Sequence, residues 1–262
     1  MKSGYTGLWL LLALSLGIFL AVSFSESDIT LLGHTFKKAP FRRTLLAQQD
    51  TAAGADMDSL IRAQSEEPQK LNPMDSTAQS IFIFGDSMTF NLALRLAQYA
   101  KHNGHIIHSV NWDSSNTRIW AESDTLEYFL HKFNPTYVFI SLGSNEMYFK
   151  NPRTRLPYVK KILEKIGDLP YVWIGPPNWE EDTGINQMLL ENTRPGSFFL
   201  SQGMDFKRKK DKIHPTRQSS ALWVDSIMRW MPKSGHPILA DTPPDSIGRV
   251  NPGIVFLKAL NK

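Results

Sequence analysis

The sequence predicts an α/β domain, a three-layer α/β/α sandwich around a parallel sheet of five strands. Three observations predict it. From residue 79 onward, short apolar runs alternate with helix-length amphipathic stretches, the pattern of successive βα units. The runs are apolar throughout rather than at every second position, as strands covered on both faces must be. Polar residues with chemical potential gather just after these runs, at the strand ends where open α/β sheets place their sites.

The chain opens with an uncharged apolar run at 7–24, preceded only by Lys2. As a helix it would span ~27 Å at ~1.5 Å per residue, enough to cross a bilayer. Residues 1–24 therefore read as a signal-anchor or a cleaved signal peptide. Either reading puts the remainder outside the cytoplasm, periplasmic or at the cell surface, membrane-anchored or secreted. Residues 25–78 are polar and turn-rich, a stalk or linker, with one short helix expected at 57–63 and an apolar patch at 29–41.

The domain proper is expected over 79–231. Its predicted strands are 81–84, 106–110, 137–142, 171–174 and 197–200. Helices are expected at 88–102, 122–133, 155–167 and 184–193, and a last one at 216–230, where Leu222, Trp223, Ile227 and Trp230 recur near helical spacing. Residues 232–262 are rich in Pro and Gly, with an apolar piece at 253–260. That extension can wrap the domain, add an edge to the sheet or dock on a partner.

Composition removes several functional classes. With no cysteine among 262 residues there is no disulfide framework, thiolate metal site or cysteine nucleophile. The net charge of +4 is spread over the chain apart from 207–210 and two basic pairs near 37–43, without the basic, aromatic-interleaved stripe of a nucleic-acid binder. No nucleic-acid partner, cofactor or metal is expected, although His102, His105 and His108 are close in sequence.

Three stretches carry chemistry. Gly85-Asp86-Ser87 ends the first strand just before a helix. A turn there exposes the Ser87 hydroxyl, while the helix N-terminus offers N–H groups and positive potential for an oxyanion. Gly143 and Asn145 follow the third strand, where an Asn amide can donate into the same site. Asp211 and His214, three apart ahead of the last helix, fit a base and the carboxylate that fixes its tautomer. Each stretch alone also fits ordinary turn and capping chemistry. Together, in this order and at these ends, they describe nucleophilic catalysis by serine. Trp112, Asn178 and Trp179 also follow strands and are candidates for contact with a substrate ring.

The three blocks resemble the SGNH (GDSL) hydrolases. Gly85-Asp86-Ser87-Met88 matches the nucleophile block with Met for the usual Leu. Gly143-Ser144-Asn145-Glu146 matches the Gly-x-Asn-Asp block with Glu at its end, and Asp211-x-x-His214-Pro215 matches the Asp-x-x-His block. The resemblance covers about 79–231. It implies a flavodoxin-like sheet and ester hydrolysis through an acyl-enzyme, with Ser87 as nucleophile, His214 as base and Asp211 orienting it. It further implies an oxyanion hole from the Ser87 N–H, the Asn145 side chain and the N–H of Ser115, which stands where the family has Gly. The substrate expected is an acylated, most simply acetylated, carbohydrate of the cell envelope or outside the cell. Two alternatives use the same fold: a carbohydrate O-acetyltransferase fed by a membrane acetyl-donor protein, and a catalytically silent binding module.

Overall fold

The computed structural model describes residues 73–258, together with residues 7, 11, 12, 14 and 15 and two short strands nearer the N-terminus. The chain divides into two compact units, Met1–Asp56 and Met57–Lys262. In the first, β1 (Ile29–Leu31) and β2 (His34–Phe36) form an antiparallel hairpin with Ile29 opposite Phe36. Most of the apolar run at 7–24, the expected helix at 57–63 and most of the expected linker lie outside the described residues. Among the described residues no helix is long and apolar enough to cross a membrane.

The second unit is built on one parallel sheet. Its strands are β3 (Ser80–Gly85), β4 (Ile106–Trp112), β5 (Tyr137–Ser141), β6 (Tyr171–Ile174), β7 (Phe198–Phe199) and β8 (Ile254–Leu257). In space they run β7-β6-β5-β3-β4-β8. The chain starts in the middle at β3, steps outward to β4, then crosses back to β5 on the other side. The order therefore reverses between β3 and β5, and the crevice of such a sheet lies at their C-terminal ends.

Alternation along the strands builds two cores. Phe82, Phe84, Val138, Ile140, Tyr171 and Trp173 face one layer. It is made by α2 (Thr117–Glu122), α3 (Thr125–Phe133), α4 (Leu156–Ile166) and α5 (Ile185–Asn192). Ile81, Ile83, Tyr137, Phe139, Val172 and Ile174 face the other. That layer is α1 (Thr89–His102) and α6 (Arg217–Trp230). Burial on both sides is why β3, β5 and β6 read as almost continuous apolar runs.

Two expectations change. The sheet has six strands rather than five, because the extension supplies β8, parallel to β4 with Phe256 opposite Asn111. Val255 and Leu257 reach the core while Phe256 stays 60% exposed, so an edge strand of this kind shows only a weak apolar signal. The extension is also tied in at the opposite end of the sheet, where the Leu239 carbonyl accepts from His105 Nε2 at 2.7 Å. The helix expected at 122–133 is α3, which begins at Thr125, and a separate short helix, α2, precedes it. Asn116 starts α2 early by accepting the Ile119 N–H at 3.1 Å, and the chain breaks at Ser123–Asp124 before α3.

Candidate active site

The site begins with a close approach of backbones. A Cβ on Gly85 would lie 1.9 Å from the Ser141 carbonyl oxygen of β5, so no other residue fits there. The same carbonyl then accepts the Asp86 N–H at 3.0 Å. The Asp86 carboxyl accepts the Met88 N–H at 3.0 Å, and the Asp86 carbonyl accepts that of Thr89 at 3.0 Å. This tight turn leaves Ser87 half-buried at the switch point, one residue before the N-cap of α1.

Asp211 and His214 reach Ser87 from a separate hairpin. Lys209 donates its N–H to the His214 carbonyl (2.8 Å) and Thr216 to that of Lys207 (2.7 Å), with Arg208 opposite Pro215. Lys212, at φ 60°, turns the tip. Thr216 then caps α6 by accepting the Ser219 N–H at 3.2 Å. Within the hairpin Asp211 Oδ1 accepts the N–H groups of Ile213 and His214, both at 2.9 Å. Its Oδ2 lies 2.9 Å from His214 Nδ1. The His214 N–H, the His214 ring and the Ile213 N–H hold this carboxyl down to about 2, well below the usual range.

His214 Nε2 lies 2.8 Å from Ser87 Oγ. A carboxylate can only accept, so Nδ1 carries the proton and Nε2 presents its lone pair to the serine hydroxyl. Nucleophile, base and orienting acid thus form one hydrogen-bonded line from residues 127 positions apart in sequence at its widest step.

The oxyanion side differs from expectation in one donor. Asn145 lies on a 3-10 turn (Ser144–Glu146) after β5, entered through Gly143 at φ 116°. A Cβ on Gly143 would meet Leu189 and Pro176 side-chain atoms at 3.3 Å, so this glycine sets the turn's path. Asn145 Nδ2 donates one hydrogen to the Ser115 carbonyl at 2.8 Å, leaving the second for a ligand. The Ser87 N–H has no partner among the described residues. The Ser115 N–H, expected to donate to the oxyanion, is instead donated to the Trp112 carbonyl at 3.1 Å. Ser115 is fully buried and its hydroxyl accepts from Trp120 Nε1. Its contribution is the carbonyl that aims Asn145.

Two buried acids underlie these turns, and neither announces itself in the sequence. Glu146 is fully buried, accepts from the N–H and hydroxyl of Thr117 at the start of α2, and lies 3.7 Å from Arg155 Nε. It fastens the Asn145 turn to the Ser115 loop, and burial raises its pKa. Asp86 is fully buried as well. Burial pushes its pKa up to about 7, the Glu146 and Asp113 charges add to this, and the Met88 and Ser144 N–H groups pull the other way.

The expected substrate contacts separate. Trp112 is not available. It is 6% exposed, packs edge-on against Trp120 and donates its indole N–H to the Lys258 carbonyl, because it shares a sheet face with Val110. Trp179 is half-buried and donates its indole N–H to the Ser144 carbonyl at 3.2 Å, next to Asn145. Asn178 accepts from Asn186 Nδ2 through its side chain and from Arg208 through its carbonyl. Among the described residues no His, Asp and Glu side chains group to hold a metal ion.

No family model matches the chain, and no curated protein matches it. Solved structures similar to it include Est24, a carbohydrate acetylesterase from Sinorhizobium meliloti, at 14% identity and TM-score 0.42 over 58% of this chain and 99% of that one. A carbohydrate acetylesterase family member from Sinorhizobium meliloti is similar at 14% identity and TM-score 0.44, over 59% and 99%. The inhibitor-bound aryl esterase of M. Smegmatis is similar at 14% identity and TM-score 0.42, over 58% and 100%. At this identity such likeness concerns the fold alone.

Proposed function

We infer that this chain is a serine-dependent ester hydrolase of the SGNH type. The observation that carries the reading is the line from Ser87 Oγ through His214 to Asp211, at 2.8 and 2.9 Å, beside an Asn145 amide with a hydrogen to spare. His214 Nε2 takes the Ser87 proton as Oγ adds to the ester carbonyl. The resulting oxyanion lies against the Ser87 N–H and Asn145 Nδ2. His214 returns the proton to the departing alcohol, leaving an acyl-Ser87 ester. Water, deprotonated by His214, then releases the acid and restores the serine.

For the substrate we propose O-acyl groups, acetyl among them, on a carbohydrate outside the cytoplasm. Support comes from the half-buried indole of Trp179 beside the Asn145 turn, an amphipathic ring surface of the kind that packs on sugar C–H faces, and from the apolar run at 7–24. The test is hydrolysis of p-nitrophenyl acetate and of an acetylated oligosaccharide by the wild type and by Ser87→Ala. Both substrates should release acetate, and the variant should release none above background. An unchanged rate in Ser87→Ala sinks the assignment of the nucleophile, and p-nitrophenyl turnover without oligosaccharide turnover sinks the carbohydrate half.

A further inference from the structure

Arg208 stands in a run of four basic residues, three of them exposed, yet it is half-buried and both terminal nitrogens of its guanidinium are engaged. One nitrogen donates to the Ile213 carbonyl. The other donates to the Asn178 carbonyl at 2.6 Å, in the loop that follows β6. The ring of Phe206 lies 5.6 Å from the guanidinium carbon. We propose that Arg208 is the positioning residue of the acid–base hairpin, locking the peptide that carries His214 and pinning the hairpin to the rim of the sheet.

The Ile213 carbonyl and the His214 N–H belong to the same rigid, planar unit. Its oxygen is held by Arg208 and its N–H by Asp211 Oδ1 at 2.9 Å, so the unit is fixed at both ends. That plane sets where the His214 Cα–Cβ bond points. The hairpin ladder of Lys209, His214, Thr216 and Lys207 fixes the hairpin internally but ties it to nothing else. Among the described residues the hairpin is also joined to the site by the His214–Ser87 contact itself and by the long 3.4 Å bond from Asn91 Nδ2 to the Pro215 carbonyl, while Phe206 and Ile213 pack on the core beneath it. Arg208 supplies the short, charge-assisted link to the β6 loop, with a separate terminal nitrogen of its planar fork on each carbonyl. Lysine, with one nitrogen, cannot reproduce that two-point geometry.

This inference rests on the esterase reading, and the experiment separates the two. Arg208→Ala and Arg208→Lys are compared with wild type for kcat, KM and thermal midpoint on p-nitrophenyl acetate, with and without millimolar guanidinium chloride. A displaced base predicts a kcat loss of about 10²-fold in Arg208→Ala with KM little changed. Added guanidinium restores a large part of that loss, and Arg208→Lys stays low with or without it. An inactive wild type sinks the esterase reading itself. An active wild type with unimpaired Arg208→Ala overturns the positioning role. So does a loss that tracks a fallen thermal midpoint and is not restored by guanidinium, which marks a merely structural arginine.

Discussion

The turn that presents Ser87 stores a pH dependence that Asp86→Asn should remove. In the unfolded chain this carboxyl titrates near its ordinary 3.8, whereas burial raises it to about 7 in the folded protein. Between those values the folded state keeps a proton that the unfolded state has lost. Stability contributed by the neutral acid is complete below 3.8 and is lost as pH rises toward 7. At ~1.4 kcal/mol per pH unit, falling to half that slope as pH reaches the folded value of about 7, the decline from pH 5 to pH 7 is about 2 kcal/mol. Glu146, also raised, adds a decline of the same sign. The oxygen of the introduced amide can still accept the Met88 N–H, so the turn survives while the titration goes. Denaturant unfolding at pH 5 and pH 7 should show wild type losing stability and Asp86→Asn losing about 2 kcal/mol less. Equal pH dependence in the two proteins would refute the assignment of a buried, protonated Asp86.

Three further outcomes are expected. Asp211→Asn should leave the fold intact and lower kcat by up to about 10⁴-fold, since an amide no longer fixes the His214 tautomer; steady-state kinetics with circular dichroism checks it. Asn145→Ala should lower kcat by about 10²–10³-fold with KM little changed, read on the same ester. Gly85→Ala should cost more than ~4 kcal/mol in unfolding free energy or prevent folding, because its Cβ would meet the Ser141 oxygen at 1.9 Å; a near-wild-type melting curve would show that β3 and β5 separate easily.

The first five strands of the sheet in chain order are legible because most of their residues are covered on both faces, which writes itself into sequence as largely apolar runs. β8 is not, because at the edge Ile254, Val255 and Leu257 are only half-buried and Phe256 is exposed. The residues of the Ser87–His214–Asp211 line are readable from spacing, since strand ends and a tight turn leave few places for them. Side-chain direction is less so. Trp112 reads as a rim residue because it follows a strand, although its two-residue offset from Val110 puts both on the core face. The Ser115 N–H depends on a turn through Ser114 at φ 58°, a conformation that serine itself does not announce. Arg208 is hidden for a different reason. In a basic run nothing local separates the one side chain that turns inward from its solvated neighbours, and only the β6 loop, distant in sequence, makes the difference.

The proposed function requires Ser87 to be the one activated nucleophile of the chain. Intact-protein and peptide mass spectrometry after treatment with a fluorophosphonate tests it most directly. One adduct per chain, on the peptide containing Ser87 and absent from Ser87→Ala and His214→Ala, is the expected result. A folded wild-type protein that takes up no label, or takes it up equally in Ser87→Ala, would contradict it.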